Sequence, residues 1–280
     1  MYKIGIIGNG FVGSSVASGF ALHADVYVYD VDLKKTINTF EEVMGCEFIF
    51  VTVPTPMNLA NDNKIDLSIV KSVFDRIYEY DKNSESVFIL KSTVSPGTTS
   101  QIAKEYPNLD IVFNPEFLTE RSARLDFINT SRIVLGGGDS ARSRVLSLYR
   151  ERFPYTQIIA TDPTSAEFIK YMCNCFFATK LSYMNEVKQI SDKLGLDWDS
   201  IMLGFLSDGR IGNSHIDVPG HDGHKGFGGK CFPKDLNAFI NFFNDTQIKP
   251  TVLSAVWEKN LEVRQELDWE KIEGATSKGE

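Results

Sequence analysis

The feature that most constrains this 280-residue chain is its opening. A short apolar run, Tyr2-Lys3-Ile4-Gly5-Ile6-Ile7, leads straight into Gly8-Asn9-Gly10-Phe11-Val12-Gly13 and then into a helix-forming stretch at 14–22. Glycines in GxGxxG spacing between a strand and a helix serve three separate purposes. The first allows a tight turn, the second lets a diphosphate approach the backbone, and the third lets helix and strand pack closely. The helix N-terminus adds its partial positive charge to the phosphate. Asp30 closes the second predicted strand, where a carboxylate accepts from adenosine ribose hydroxyls and repels a 2′-phosphate. The predicted cofactor is therefore NAD in preference to NADP.

Further β-rich runs fall at 26–29, 48–53, 87–90, 111–113, 133–135 and 156–159, separated by helical stretches. Several are unbroken Val/Ile/Phe runs, as strands buried on both faces require. Strands alternating with helices predict a parallel sheet. The character changes after Asp162-Pro163. Residues 164–194 contain neither Gly nor Pro, Thr164-Ser165-Ala166-Glu167 fits a capping box, and Gly195 fits a helix stop. That is one helix near 45 Å long at ~1.5 Å per residue. Shorter helices follow at about 197–206, 233–243 and 249–264, around a Gly/His-rich loop at 208–229. The last dozen residues are polar and are expected to fray. The expected fold class is α/β: a Rossmann-type parallel-sheet domain over 1–162, an all-α domain built on one long helix over 163–265, and a tail over 266–280. The long helix carries Phe168, Tyr171, Met172, Phe176, Phe177, Leu181 and Met184, more apolar surface than a small domain buries against one face. A homodimer through 164–194 is expected.

Composition excludes other classes. A net charge of -8 gives no basic field for nucleic acid. No apolar run approaches the ~20 residues of a membrane helix, and the opening lacks the longer apolar core of a signal peptide. The four cysteines, Cys46, Cys173, Cys175 and Cys231, read as reduced thiols of a cytoplasmic protein. No Cys/His cluster has metal-ligand spacing, so no metal is expected.

Three stretches carry candidate chemistry. In Gly226-Phe227-Gly228-Gly229-Lys230-Cys231-Phe232-Pro233-Lys234-Asp235, Pro233 suits the start of a helix. Cys231 then precedes a helix N-terminus between two lysines, both of which favour thiolate. A buried structural cysteine fits the same local pattern. Lys170 and Asn174 stand i, i+4 on the long helix. They suit either an oxyanion or ordered-water site, or a solvated lysine and a surface amide. Pro115-Glu116-Phe117-Leu118-Thr119-Glu120 follows a strand end, where open α/β sheets bind ligands. Its acids are either a base and a substrate contact or solvated loop charges.

Taken in chain order, the motifs resemble the UDP-glucose/GDP-mannose dehydrogenase family. They are GNGFVG at Gly8, VPTP at Val53, KSTV-PGT from Lys91, NPEFLTE from Asn114, K-x-x-x-N at Lys170 and Y-x-N-E at Tyr183. D-G-R-I-G at Asp208, VPG-x-DG at Val218 and GFGGKCFPKD at Gly226 complete the set. The resemblance implies NAD-dependent oxidation of a nucleotide-sugar C6 alcohol to the carboxylate, with UDP-glucose favoured by the VPG-x-DG stretch. It implies that Cys231 attacks the aldehyde to form a thiohemiacetal and then a thioester, which water hydrolyses. Lys170 and Asn174 would stabilise oxyanions and position water, Asp235 would hold that water, Thr93 would hydrogen-bond near the reacting carbon, and Glu120 would act as base. Glu116, Phe117 and Leu118 match the loop that grips the nucleotide sugar, with Lys170, Asn174, Phe227 and Gly228 as further contacts. Arg210 matches an arginine that reaches the substrate of a partner subunit. Gly8, Gly10, Phe11, Val12, Gly13, Asp30, Lys35, Thr55, Thr93 and Glu120 match cofactor contacts.

The sequence departs from the family twice. It stops soon after Trp269-Glu270-Lys271, where relatives run on into a second Rossmann-like domain over the UDP, so weaker nucleotide binding is expected. It is also short over 31–47, which leaves the adenosine side more open. Two alternatives remain in view. One is a non-catalytic or half-enzyme NAD-binding protein that needs a separately encoded UDP-binding domain. The other is a two-electron hydroxyacid dehydrogenase, against which Cys231 weighs because a single alcohol oxidation needs no thioester.

Overall fold

The computed structural model describes residues 1–119 and 121–278. In chain order the elements are β1 (Tyr2–Ile7), α1 (Phe11–Phe20), β2 (Ala24–Tyr29), α2 (Phe40–Met44), β3 (Phe48–Val51), β4 (Met57–Asn58), β5 (Lys64–Ile65) and α3 (Ser68–Tyr80). They continue with β6 (Val87–Leu90), α4 (Thr98–Glu105), β7 (Asp110–Phe113), α5 (Ala123–Ile128), β8 (Arg132–Gly137), α6 (Asp139–Arg152) and β9 (Gln157–Thr161). Then come α7 (Pro163–Leu194), α8 (Trp198–Leu206), α9 (Phe232–Asp245), α10 (Thr251–Val263), a 3-10 turn at Asp268–Glu270 and β10 (Thr276–Ser277). Two compact units divide inside α7 rather than ahead of it. The first comprises Met1–Thr55 and Asp66–Lys170, and the second Pro56–Ile65 and the chain from Tyr171 onward.

In the first unit seven strands form a sheet in the order β2-β1-β3-β6-β7-β8-β9. All neighbours are parallel except β7 and β8, which pair antiparallel with Val112 opposite Gly137. Every residue of β3 and β6 is buried, which explains their unbroken apolar sequences. Alternate residues serve the two faces. Ile49 and Val51 join Phe74, Phe88 and Leu90 on one side, while Phe48 and Phe50 join Ile6, Phe20 and Tyr149 on the other. Each such side chain stabilises the fold by about 1.5–3 kcal/mol relative to exposure.

The start of α7 differs in detail from the sequence reading. Asp162 caps it: its Oδ1 accepts from the Ser165 amide at 2.9 Å, and its carbonyl accepts from the Ala166 amide at 3.1 Å. The expected capping box does not form, because Glu167 is drawn elsewhere. Its fully buried carboxylate accepts from the amides of Gly97 (2.5 Å) and Thr99 (2.7 Å) and from Thr99 Oγ1 (2.6 Å). Burial pushes Glu167 up to about 7, against the pull of those three bonds. One turn of backbone packs still more tightly: a Cβ on Gly136 would lie 2.7 Å from both Pro163 Cα and Ala166 Cβ. The helix ends at Gly195 (φ 65°), with the Leu196 amide reaching back to the Ser191 carbonyl at 3.0 Å, as a left-handed glycine cap requires.

The second unit is helical around Tyr171, Ala178, Phe227, Leu236 and Phe239. It also contains a three-stranded sheet of two-residue strands in the order β10-β4-β5. Hence the chain after 266 is not frayed along its described length. Trp269 is 2% exposed and packs near Trp257 and Met57, and β10 pairs in parallel with β4. One large apolar ring outweighs the polar composition around it. Among the described residues no helix is long and apolar enough to cross a membrane.

Candidate active site

In the first unit the glycine loop is held from three directions. Gly8 takes φ 98°, and its carbonyl accepts from Thr52 Oγ1 at 2.6 Å. A Cβ on Gly13 would fall 1.9 Å from the Gly8 carbonyl oxygen, so the third glycine is compulsory. Asp30 closes the loop from β2: its Oδ2 accepts from the Asn9 amide at 2.6 Å and its Oδ1 from the Asp32 amide at 2.8 Å. Further ties come from Asn9 Nδ2, which donates to the Lys35 carbonyl at 2.6 Å, and from the Gly8 amide, which donates to the Tyr29 carbonyl at 2.9 Å. Gly10 caps α1 with no side-chain cap, and a Cβ there would meet nothing within 4 Å. The amides of Phe11, Val12 and Gly13 at this end of the helix suit a diphosphate. Each Asp30 oxygen keeps a lone pair for a ribose hydroxyl. These residues fit NAD.

The loop after β7 carries a buried charge cluster. Lys170 Nζ donates to Glu116 Oε1 and to the Glu116 carbonyl, both at 2.7 Å, and the two side chains are 3% and 6% exposed. Glu116 Oε2 accepts from the Leu118 amide at 2.7 Å. Phe117 lies under the Arg132 guanidinium at 4.1 Å. Lys91, which the sequence reading did not single out, completes the cluster. Its Nζ donates to Asn114 Oδ1 (2.9 Å) and to the carbonyls of Asn114 (3.3 Å) and Pro115 (3.5 Å). Burial pushes Lys91 down to about 7, Glu116 pulls it back up and Lys170 lowers it further. Two buried lysines thus share one nearby carboxylate.

In the second unit Cys231 is the N-cap of α9, with Phe232 and Pro233 opening the helix. The thiol is partly exposed and is not in a disulfide. The Asp235 amide donates to the Cys231 carbonyl at 2.8 Å, which sets the two residues one turn apart. Asp235 is 1% exposed. Its Oδ2 accepts from Asn174 Nδ2 at 2.5 Å and its Oδ1 from Lys234 Nζ at 2.6 Å. Lys234 is thus engaged with Asp235. Phe227 is buried, and Asn260 both accepts from its amide (2.7 Å) and donates to its carbonyl (3.0 Å). Cys175 is buried, and burial raises its thiol pKa, while Cys173 is half-buried.

Lys170 and Asn174 are neither solvated nor superficial: they are 2% and 8% exposed. Of the other expected residues, Thr55 is buried and Thr93 half-buried in loops after β3 and β6. Lys35 is exposed, with its Nζ 3.6 Å from Asp32. Arg210 is exposed and forks onto Asp208, its terminal nitrogen 2.5 Å from Oδ2. Glu120 lies outside the described residues. Sequence reasoning missed Lys91, Asn114 and Asn260, and assigned Glu167 to a helix cap instead of to Gly97 and Thr99. The first two open the KSTV and NPEF runs, which was the available signal. The others act through partners distant in sequence.

Two domain models match this chain. The NAD binding domain of the UDP-glucose/GDP-mannose dehydrogenase family matches residues 31–153, and the central domain of the same family matches residues 164–262. The chain belongs to this family. NAD is accordingly the cofactor of the first unit. UDP-glucose 6-dehydrogenase of Rickettsia conorii is 32% identical over 223 residues, a match covering 78% of this chain and 50% of that protein. The chain thus spans about half the length of that curated relative. A UDP-glucose dehydrogenase structure from the archaeon Pyrobaculum islandicum aligns with a TM-score of 0.81 at 29% identity, covering 94% of this chain and 68% of that one. The 3-hydroxyisobutyrate dehydrogenase of Mycobacterium tuberculosis aligns with a TM-score of 0.73 at 17% identity, covering 94% and 93%, and shares the fold. In this UDP-glucose/GDP-mannose dehydrogenase family member, every site residue expected from sequence and described in the structure lies in a loop or at a helix terminus, except Lys170 and Asn174 on α7 and Asp235 in the first turn of α9.

Proposed function

We propose that this chain carries the NAD-dependent oxidation of a nucleotide-sugar C6 alcohol to the carboxylate, with UDP-glucose as substrate and UDP-glucuronate as product. The observation that carries this reading is the first turn of α9, where Cys231 caps the helix and Asp235, one turn on, is bonded to Asn174. A cysteine beside a buried carboxylate–amide pair suits thioester chemistry and has no use in a simple alcohol oxidation.

The balanced conversion takes one alcohol and one water to one carboxylate, releasing two hydrides and three protons. NAD, when bound, supplies the hydride acceptor. Cys231 adds as thiolate to the aldehyde carbon, forming the C–S bond of a thiohemiacetal; after its oxidation, water adds to the thioester and the C–S bond breaks. The helix N-terminus at Cys231 favours the thiolate. Lys170, one turn before Asn174 on α7, donates to the oxygen that becomes negative. Asp235 and Asn174 orient the attacking water, and Thr93 and Glu120 complete the set as hydrogen-bond partner and base. Glu116, Phe117, Leu118, Phe227 and Gly228 hold the sugar.

Counting NADH formed per UDP-glucose tests the reading. Two per sugar supports it; one points to a two-electron dehydrogenase, and none to an NAD-binding half-enzyme that works with a separate UDP-binding polypeptide. We further propose a homodimer through α7, supported by the exposure of Met172 (54%), Phe176 (61%) and Tyr183 (57%) along it. A monomer by light scattering at micromolar concentration would refute the dimer.

A further inference from the structure

The loop that precedes Cys231 rests on a column of side chains from α10 and the chain just beyond it. Asn260 holds Phe227 by both its amide and its carbonyl, and the Gly226 amide donates to Asn185 Oδ1 at 3.1 Å. Next in the column comes Arg264, whose side chain is 1% exposed. Its guanidinium donates to Asp222 Oδ2 (2.8 Å), to Asp268 Oδ1 (2.9 and 3.1 Å) and to the Glu266 carbonyl (3.0 Å). Asp268 in turn accepts from the Gly229 amide at 2.9 Å through its other oxygen. The approach is so close that a Cβ on Gly228 would lie 2.1 Å from Asp268 Oδ1 and 2.3 Å from Arg264 Nη2. Gly226 is equally tight, its Cβ position 2.3 Å from Asn260 Oδ1.

We propose that Arg264 and Asp268 are positioning residues for Cys231: together they fix the Gly226–Gly229 backbone, and through it the place of the thiol at the head of α9. The inference rests on Cys231 being the reactive group, but it concerns a segment to which no motif or resemblance assigned a task. A buried guanidinium forked between two carboxylates holds a fixed geometry that an ammonium does not reproduce. Gly229 stands two residues before Cys231, so little chain remains to absorb slack between the clamp and the thiol.

The test is the alkylation rate of Cys231 by iodoacetamide, followed by peptide mass spectrometry in the full chain without substrate or NAD. Cys173 on α7, half-buried and outside the clamp, is the internal reference. In Arg264→Lys and Asp268→Asn we expect the Cys231:Cys173 rate ratio near neutral pH to fall roughly three- to tenfold. The midpoint of the Cys231 pH profile should move upward, because the thiolate loses its alignment with the helix N-terminus. Arg264→Met should exceed Arg264→Lys in both respects. A ratio and pH profile equal to wild type in a variant with wild-type circular dichroism overturn the proposal. A parallel rise at Cys173 and the buried Cys46 and Cys175 means general loosening and overturns it too. If alkylation responds as expected while Cys231→Ser still makes the sugar acid, the clamp stands and the proposed chemistry fails.

Discussion

Lys170→Met exposes how far the first unit depends on its buried ion pair. Lys170 Nζ sits 2.7 Å from Glu116 Oε1, and neither side chain is more than 6% exposed. Removing one partner of such a pair strands the other charge, at a cost of about 3–5 kcal/mol. Two features place the cost at the lower end. Glu116 Oε2 keeps the Leu118 amide, and the nearby Lys91 remains as a second cation. We therefore expect a loss of about 3 kcal/mol. The variant also removes the cation that depresses Lys91. In wild type the folded chain holds the Lys91 proton only below about 7, whereas the unfolded chain holds it up to its ordinary 10.5. Between those values the unfolded state binds more protons, so stability rises with pH across that window. Without Lys170 the Lys91 pKa climbs and the rise begins at higher pH. Urea unfolding followed by circular dichroism at about pH 6 and about pH 9 reads both effects. Glu116→Gln and the double variant complete a cycle. The double variant should recover most of the loss, with a coupling of about 1.5–3 kcal/mol. A loss below about 1 kcal/mol, the range of an exposed pair, or strictly additive single variants would refute the reasoning.

Cys231→Ser should abolish sugar-acid formation, because a serine alkoxide is far harder to form near neutral pH than a thiolate; normal UDP-glucuronate output from that variant, read by mass spectrometry, would sink the nucleophile assignment. The wild-type chain should prefer NAD over NADP in kcat/KM, and Asp30→Asn should narrow the preference while also weakening NAD binding, since the Asn9 and Asp32 amides both lean on that carboxylate. Comparable wild-type values for the two cofactors contradict this. Gly13→Ala places a methyl 1.9 Å from a backbone oxygen that has no freedom to rotate away. It should destabilise the unit by about 1–3 kcal/mol or more and abolish NAD binding by calorimetry; unchanged binding would disprove the tight-packing account.

The elements legible in the sequence are those with a local cause. The strands Tyr2–Ile7 and Val87–Leu90 fall where the apolar runs place them, and α7 fills the Gly- and Pro-free stretch 164–194 with Pro163 added as its first residue. What could not be read depends on partners far away in sequence. Two-residue strands such as Met57–Asn58 have no periodicity of their own and form between Lys64–Ile65 on one side and Thr276–Ser277, more than 200 residues on, on the other. The antiparallel turn of β8 leaves no trace in a side-chain pattern, since residue alternation is the same in either direction. Lys170 and Asn174 were recognisable by spacing, but their burial was not. It follows from Glu116, 54 residues away from Lys170, and from Asp235, 61 residues away from Asn174. Glu167 misled for the opposite reason: its spacing from Thr164 imitates a cap, while its carboxylate serves a loop at Gly97 and Thr99.

The anchorage of α7 has a consequence for which changes the chain tolerates. Ala166 is pressed against Gly136, and Glu167 is locked to Gly97 and Thr99, just ahead of Lys170. The helix is indexed there like a keyed shaft. Each residue advances an α-helix by about 100°, so one residue inserted or deleted between Glu167 and Lys170 would swing Lys170 a quarter-turn or more away from Glu116. Phe168 and Ile169 can therefore vary in kind, within what their neighbours allow, but the length of that stretch is fixed.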